Sequence, residues 1–237
     1  MRRECSFPRS GAHGVARLST KRMLGTLASW TLSHDRYGDP MRAAPALTRR
    51  SEILAKAAAL FAKQGIATTT VREIADAVGI LSGSLYHHFE SKEEMVFEII
   101  ESYLEDLHER YRTVAAANHE PRDCLEALIR TSFDSLGAHA HACEIYQNDH
   151  NYISRLPDYT ALKRVSQSTQ RIWLDTLVAG VETGVFRADV DPVIFYRFLR
   201  DAIWMSIRWQ RPGSRRADTD LAASCVSVFI EGYRVAS

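Results

Sequence analysis

From residue 46 onward, apolar and polar positions alternate with a helical period. In "LTRRSEILAKAAALFAKQG", Ile53, Leu54, Ala57, Leu60 and Phe61 fall at helical spacing, and the pattern stops at Gly65. Thr70 and Glu73 have capping-box spacing: the threonine oxygen accepts from the Glu73 amide while the glutamate reaches back. "VREIADAV" follows, and Gly79 suits the left-handed position that closes a helix. After a turn at Ile80–Leu81, "SGSLYHHF" reads as a helix of about two turns. Ser91 caps the next helix, "KEEMVFEIIESYLEDLHERYRTV", with Glu93 and Glu94 in the first turn, where the helix dipole favours acid.

Beyond it the pattern predicts a helix from Pro121 to about Ala138, a shorter one around 140 to 154, and a break at Leu156–Pro157. A long helix over roughly 158 to 183 ends at Gly184. "DPVIFYRFLRDAIWMSIRWQ" starts at Asp191 with Pro192 at the first helical position, "RPGSRRAD" is a loop, and a last helix runs from about 219 to 235. Strand alternation is nowhere convincing, so the expected fold class is all-α. A helix-turn-helix domain of three helices over 46–95 precedes a larger helical ligand-binding and dimerisation domain over 96–237. Residues 1–45 lack a helical period and read as a disordered or mis-assigned N-terminal extension of a chain that begins at Met41. The segment "KRMLGTLASWTL" makes a poor signal peptide, because its apolar part is late and interrupted. A basic arm touching DNA is the weaker alternative.

Composition narrows the partners. The net charge of +1 over 237 residues advertises none, so a nucleic-acid partner must be argued from local placement of charge. Cys5, Cys124, Cys143 and Cys225 are scattered without CxxC spacing, which points to reduced thiols in a cytoplasmic protein. No apolar run reaches the ~18 residues of a membrane span, so no membrane partner is expected.

Helix, glycine-bearing turn and short second helix is the helix-turn-helix plan, in which the second helix enters the major groove of double-stranded DNA. Ser82, Gly83 and Ser84 allow close approach of backbone to DNA. Tyr86 and His87 can donate to phosphate oxygens, and Lys92 can grip a phosphate together with the amides of its own helix start. Leu85 and Phe89, four apart, face inward. The competing reading has Tyr86, His87, His88 and Phe89 merely closing a small three-helix core. It is preferred for His88 and Phe89, since only one helix face can meet DNA.

"TTVREIADAVGI" followed by "GSLYHHFESKEEM", over about residues 48 to 95, resembles the DNA-binding region of the TetR family of bacterial repressors. That resemblance implies an all-α homodimer acting on a palindromic operator, and DNA roles for Thr70, Ser82, Gly83, Ser84, Tyr86, His87 and Lys92. One departure stands out: the family commonly has Ser-Lys or Ser-Arg just before the glycine, and this chain has Leu81–Ser82. The lost cation weakens sequence-independent phosphate attraction. "GILSGSLYHHF", "VFRADVD" and "YRFLRDAIWMSIRWQRPG" further resemble the TetR-family repressors of late, ring-fragment steps of cholesterol catabolism in actinobacteria. Those regulators respond to coenzyme A thioesters of steroid-derived acids, which implies an acyl-CoA effector here.

The helix after Asp191 offers residues for such an effector. At ~100° per residue, Arg197, Arg200, Trp204, Arg208 and Arg211 lie within about a quarter-turn, and apolar residues cover most of the remaining surface. Asp201 can satisfy Arg197 at i+4. Arg200 and Arg208 have no carboxylate three or four residues away, so their planar forks suit phosphate or carboxylate. Trp204 between them can stack on adenine or pack on an acyl group. The alternative is a solvent-facing arginine stripe with Trp204 as an interface anchor; the resemblance favours the acyl-CoA site.

In "HAHACEIYQNDH", His139 and Cys143 share a spacing of four but complete no ligand set, so no metal is expected; His139, His141 and Tyr146 are candidates for the pocket wall. No nucleophile elbow, phosphate-cradling loop or carboxylate pair appears, so neither catalytic residues nor a cofactor are expected. The chain thus reads as a ligand-responsive repressor controlling catabolic genes. The alternative is an acyl-CoA-binding enzyme or carrier that keeps a helix-turn-helix only as scaffold.

Overall fold

Thr48 opens the first helix by accepting a hydrogen bond from the Ser51 amide, and Gly65, at φ 88°, closes it. The computed structural model describes residues 48–206 and 220–234, and among them every regular element is helical. In chain order these are α1 (Arg49–Gln64), α2 (Val71–Val78), α3 (Ser82–Leu85), α4 (Lys92–Ala117) and α5 (Pro121–Ala138). They continue as α6 (Ala140–Asn148), α7 (His150–Ile153), α8 (Tyr159–Glu182), α9 (Pro192–Ser206) and α10 (Leu221–Tyr233).

The capping box at Thr70–Glu73 is present, and Gly79 takes the left-handed conformation at φ 70°. Two expectations need correction. The segment after the turn has only four residues in α3, not two full turns, although backbone bonds from His88 and Phe89 back to Leu85 continue the winding. The helix expected around 140 to 154 is split at Asp149 into α6 and α7. The N-terminal extension lies outside the described residues, as do Arg208 and Arg211.

Burial of one continuous apolar set holds the helices together. Ile53, Phe61, Ile74, Leu85, Phe89, Met95 and Ile100 are buried at the N-terminal end, and the same core continues through Leu104, Leu125, Leu177 and Leu199. The boundary drawn at 95/96 falls inside α4, so the two expected domains share one helix. At the far end, Gly180 lets the ring of Phe186 lie against the backbone of α8; a β-carbon there would sit 2.0 Å from Phe186 Cδ2. Phe186 stacks on Tyr233 at 4.9 Å between centroids, and Tyr233 on Phe195 at 4.0 Å, joining α8, α9 and α10. The backbone of Arg187 donates to the Tyr233 carbonyl at 2.9 Å beside an isolated bridge between Phe186 and Arg234.

Candidate functional site

At the helix-turn-helix end, residues that point outward separate from those that hold the element down. Leu85 and Phe89 are buried, His88 is half-buried, and Tyr86 and His87 are exposed. Ser82 and Ser84 are half-exposed and Gly83 is exposed. Among the described residues nothing lies within 4 Å of the point a Gly83 β-carbon would occupy. Thr70 is exposed too, but its hydroxyl and amide are engaged with Glu73: the amide donates to the carboxylate at 2.7 Å. That bond, first among several, holds the Glu73 carboxyl below its ordinary range.

Lys92 departs from the role assigned to it. Its ammonium donates to the carbonyls of Ile66 at 2.8 Å and Thr69 at 3.0 Å and sits 5.7 Å from the Tyr152 ring centroid. It fastens the α1–α2 loop to the start of α4 instead of reaching outward for a phosphate. Arg50, which the sequence pattern did not single out, holds the other end of the recognition segment. Its guanidinium donates to the His88 carbonyl, pairs with Glu94 at 2.9 Å and Glu98 at 2.5 Å, and lies 4.0 Å over the Phe89 ring. One signal was available: an arginine in the first turn of a helix opposes the dipole and needs a partner elsewhere.

A second site lies in the larger bundle. A cavity of about 510 Å³, open on one side, is lined by α4, α5, α6, α7, α8 and α9. Its walls are aromatic: Tyr111 meets Trp173 edge-on at 5.4 Å, Trp173 lies 6.0 Å from Tyr196, and Tyr146 meets Trp204 edge-on at 6.0 Å. Polar groups are set among them. Tyr111 and Ser132 share a 2.6 Å hydrogen bond, Tyr146 donates to Ser166 at 3.2 Å, and Thr169 also faces the space. Burial pushes the Tyr196 phenol up to about 12, against the opposing effect of the Arg200 charge.

Arg200 and Trp204 both line this cavity, as does Tyr146. The Arg200 guanidinium sits 5.5 Å from the Trp204 ring and 5.8 Å from that of Tyr196. Asp201, expected to serve Arg197, instead takes Arg200, its immediate neighbour, at 2.8 Å from Nε. Arg208 falls outside the described residues. His139 is turned away from the cavity to Asp106 at 2.9 Å, and His141 is exposed; His150 lines the space instead. Sequence spacing could find the α9 residues, but not the lining from five other helices, which only tertiary packing assembles.

The two sites are joined at the α6–α7 break. Tyr146, Gln147, Asn148 and His150 line the cavity, while Asp149 accepts from the Ile66 backbone amide in the helix-turn-helix domain. Burial holds the Asp149 carboxyl above its ordinary range. Three residues on, the Tyr152 hydroxyl donates to Glu93, and that bond is the main reason the Glu93 carboxyl lies below its usual range.

Among the described residues no group of three or more His, Cys, Asp or Glu is placed to hold a metal, and no helix is long and apolar enough to cross a membrane. Residues 53–99 match the bacterial regulatory proteins of the tetR family, and residues 118–233 match the tetracyclin repressor-like C-terminal domain. The HTH-type transcriptional repressor KstR2 of Rhodococcus jostii (strain RHA1) is 44% identical over 184 residues, 78% of this chain and 90% of that protein. Its namesake from Mycobacterium tuberculosis (strain ATCC 25618 / H37Rv) is 40% identical over 185 residues, 78% of this chain and 92% of its own. The solved structure of the ketosteroid transcriptional regulator KstR2 of Mycobacterium tuberculosis matches with a TM-score of 0.75 at 39% identity, covering 80% of this chain and 96% of that one.

Proposed function

Because the chain belongs to the tetR family of bacterial regulatory proteins, and is therefore a DNA-binding transcriptional repressor and not an enzyme, we propose that a coenzyme A thioester of a steroid-derived acid releases it from a palindromic operator. The enzyme-or-carrier alternative falls with that membership. The observation that carries the effector reading is the cavity of about 510 Å³, whose walls pair aromatic faces with the Arg200–Trp204 edge. Its volume suits a small molecule. Tyr111, Trp173 and Tyr196 offer apolar faces to a fused-ring fragment, and Ser132, Ser166 and Thr169 offer hydroxyls for its oxygens. Arg200 supplies a countercharge for an anionic group. Asp201 shares that guanidinium, which carries more donors than one carboxylate uses.

Homodimer formation is part of the proposal. Ile194, Phe198 and Met205 on α9 and Val228 on α10, two helices that pack together, are exposed apolar side chains. A second copy of the chain would cover them, and α9 would then carry both the effector contacts and the subunit contact. Release follows as a population shift: effector favours the arrangement in which the two recognition helices no longer match half-sites ~34 Å apart. Moving from nearly full to nearly empty operator needs a preference of about 5.5 kcal/mol for that state. The break at Asp149 and the Tyr152–Glu93 bond connect the cavity wall to the recognition domain.

Calorimetric titration with a steroid-derived acyl-CoA, beside a mobility shift on operator DNA, tests the assignment. Arg200→Ala and Trp204→Ala should each weaken effector binding by about tenfold or more, the worth of a charge-assisted bond or an aromatic contact. Operator binding should stay near that of the parent, so the variants remain on DNA at effector levels that free it. Parent-like effector affinity in both would end the ligand-site reading.

A further inference from the structure

The exposed large hydrophobic side chains among the described residues fall on two surfaces. Six of them, Val178, Val193, Ile194, Phe198, Met205 and Val228, are on α8, α9 and α10; the other two, Leu81 and Tyr86, belong to the recognition segment. At 80% exposure, Leu81 is the most exposed of all eight.

No role inside the fold accounts for a leucine at this point. Leu81 is the residue before α3, in extended backbone at φ −71° and ψ 144°, and its side chain makes no capping hydrogen bond. Leucine is among the poorest residues for that place, where Ser, Thr, Asp or Asn would satisfy a free amide. Apolar cover for the turn is already supplied by Ile80, which is half-buried against the core, and Leu85 and Phe89 fasten the segment from within. Leu81 is followed by Ser82 and Gly83, neither of which adds bulk, and the space around the Gly83 α-carbon is open. The isobutyl group therefore stands free on the surface that meets DNA. Ser82 beside it carries no charge, and the Lys92 ammonium is held by the carbonyls of Ile66 and Thr69.

On a duplex, the major-groove edge has one apolar feature, the C5-methyl group of thymine. The leucine side chain can hydrogen-bond neither base edges nor phosphates, so the thymine methyl is the base feature it can recognise. We propose that Leu81 reads a thymine methyl group in each operator half-site, giving the repressor sequence discrimination at a position where it makes no hydrogen bond. This rests on the placement of the α3 segment in the major groove.

The test uses the full chain and operator duplexes that it selects from a random-sequence pool. Thymine is replaced at random by deoxyuridine, which lacks only the methyl group; bound and free duplexes are separated by mobility shift and mapped at each uracil. For the parent protein, one thymine per half-site should lose about fourfold in affinity as uracil, the worth of one buried methyl group. Leu81→Ala should bind thymine and uracil equally at that position and keep the remaining pattern. Leu81→Ser should lose the same discrimination while its new cap raises the thermal midpoint, which separates base reading from folding. Uracil patterns that coincide between parent and Leu81→Ala, including the absence of any sensitive thymine in both, would overturn the proposal alone. Failure of the parent to select any duplex would overturn it together with the placement of α3 on DNA.

Discussion

Tyr86 and Lys92 show how differently two polar residues of one short segment can be used. Tyr86 and His87 are exposed with donors free to meet a backbone, whereas Lys92 is committed to two carbonyls of its own chain. Replacing Tyr86 with Phe and His87 with Ala should lower affinity for every duplex by a similar factor while helix content is unchanged, because phosphate contacts position without specifying. A loss confined to the preferred sequence would contradict the phosphate assignment. For Lys92→Met the expectation is the reverse: about 1.5–3 kcal/mol less stability from the lost charged hydrogen bonds, with a salt slope like that of the parent. Had Lys92 neutralised a phosphate, the slope of log affinity against log salt would fall by about 0.9 per subunit, about 1.8 for the dimer. The denaturation midpoint and the salt titration decide between these roles. Nothing local could have revealed this, since the carbonyls lie 26 and 23 residues earlier in the chain.

Elements whose ends are set by their own neighbours were legible; those set by contacts at a distance were not. The capping box at Thr70–Glu73, Pro192 at the start of α9, and the left-handed glycines at 79 and 184 are decided within a turn or two of chain, and sequence locates them. At the split, Asp149 turns to a partner in another part of the fold, the Ile66 amide, and the sequence pattern ran through it. Likewise apolar residues cover most of α9 outside its arginine stripe, yet Phe198 is 66% exposed among the described residues. Two measurements address these elements. Gly180→Ala should cost about 1–3 kcal/mol through overpacking against the buried Phe186 ring, visible as a lower thermal midpoint. Tyr152→Phe should remove the bond that holds the Glu93 carboxyl below its ordinary value. A depressed carboxyl pKa contributes stability above its unfolded value, about 4.3, and loses it as pH falls through the folded value. The gap in thermal midpoint between parent and Tyr152→Phe should therefore be constant above about pH 5 and close below about pH 4. A gap that is independent of pH would remove Glu93 from the linkage.

Across the whole molecule, the exposed apolar groups of α9 and α10 stand at the opposite end of the chain's order from the recognition segment. Phe198→Asp combined with Val228→Asp should yield a folded monomer in sedimentation, since buried like charges would face one another across a symmetric contact. Such a monomer holds a single half-site and should bind a palindromic duplex far more weakly than the parent. Retention of the dimer in the double variant would place the subunit contact elsewhere. The cavity and the α6–α7 break have a further consequence. Of residues 146 to 150, Asp149 alone turns from the cavity toward the recognition domain, so on the proposed effector assignment the side chains that would meet the effector and the one that would transmit its arrival interleave along one strip of chain. On that assignment, changes at Ser132, Ser166 and Thr169 should alter which small molecule is bound while leaving the contacts of Asp149 and Tyr152 in place. With the proposed effector site, a chain divided in this way would serve as a convertible biosensor scaffold, retuned by changing the cavity wall alone.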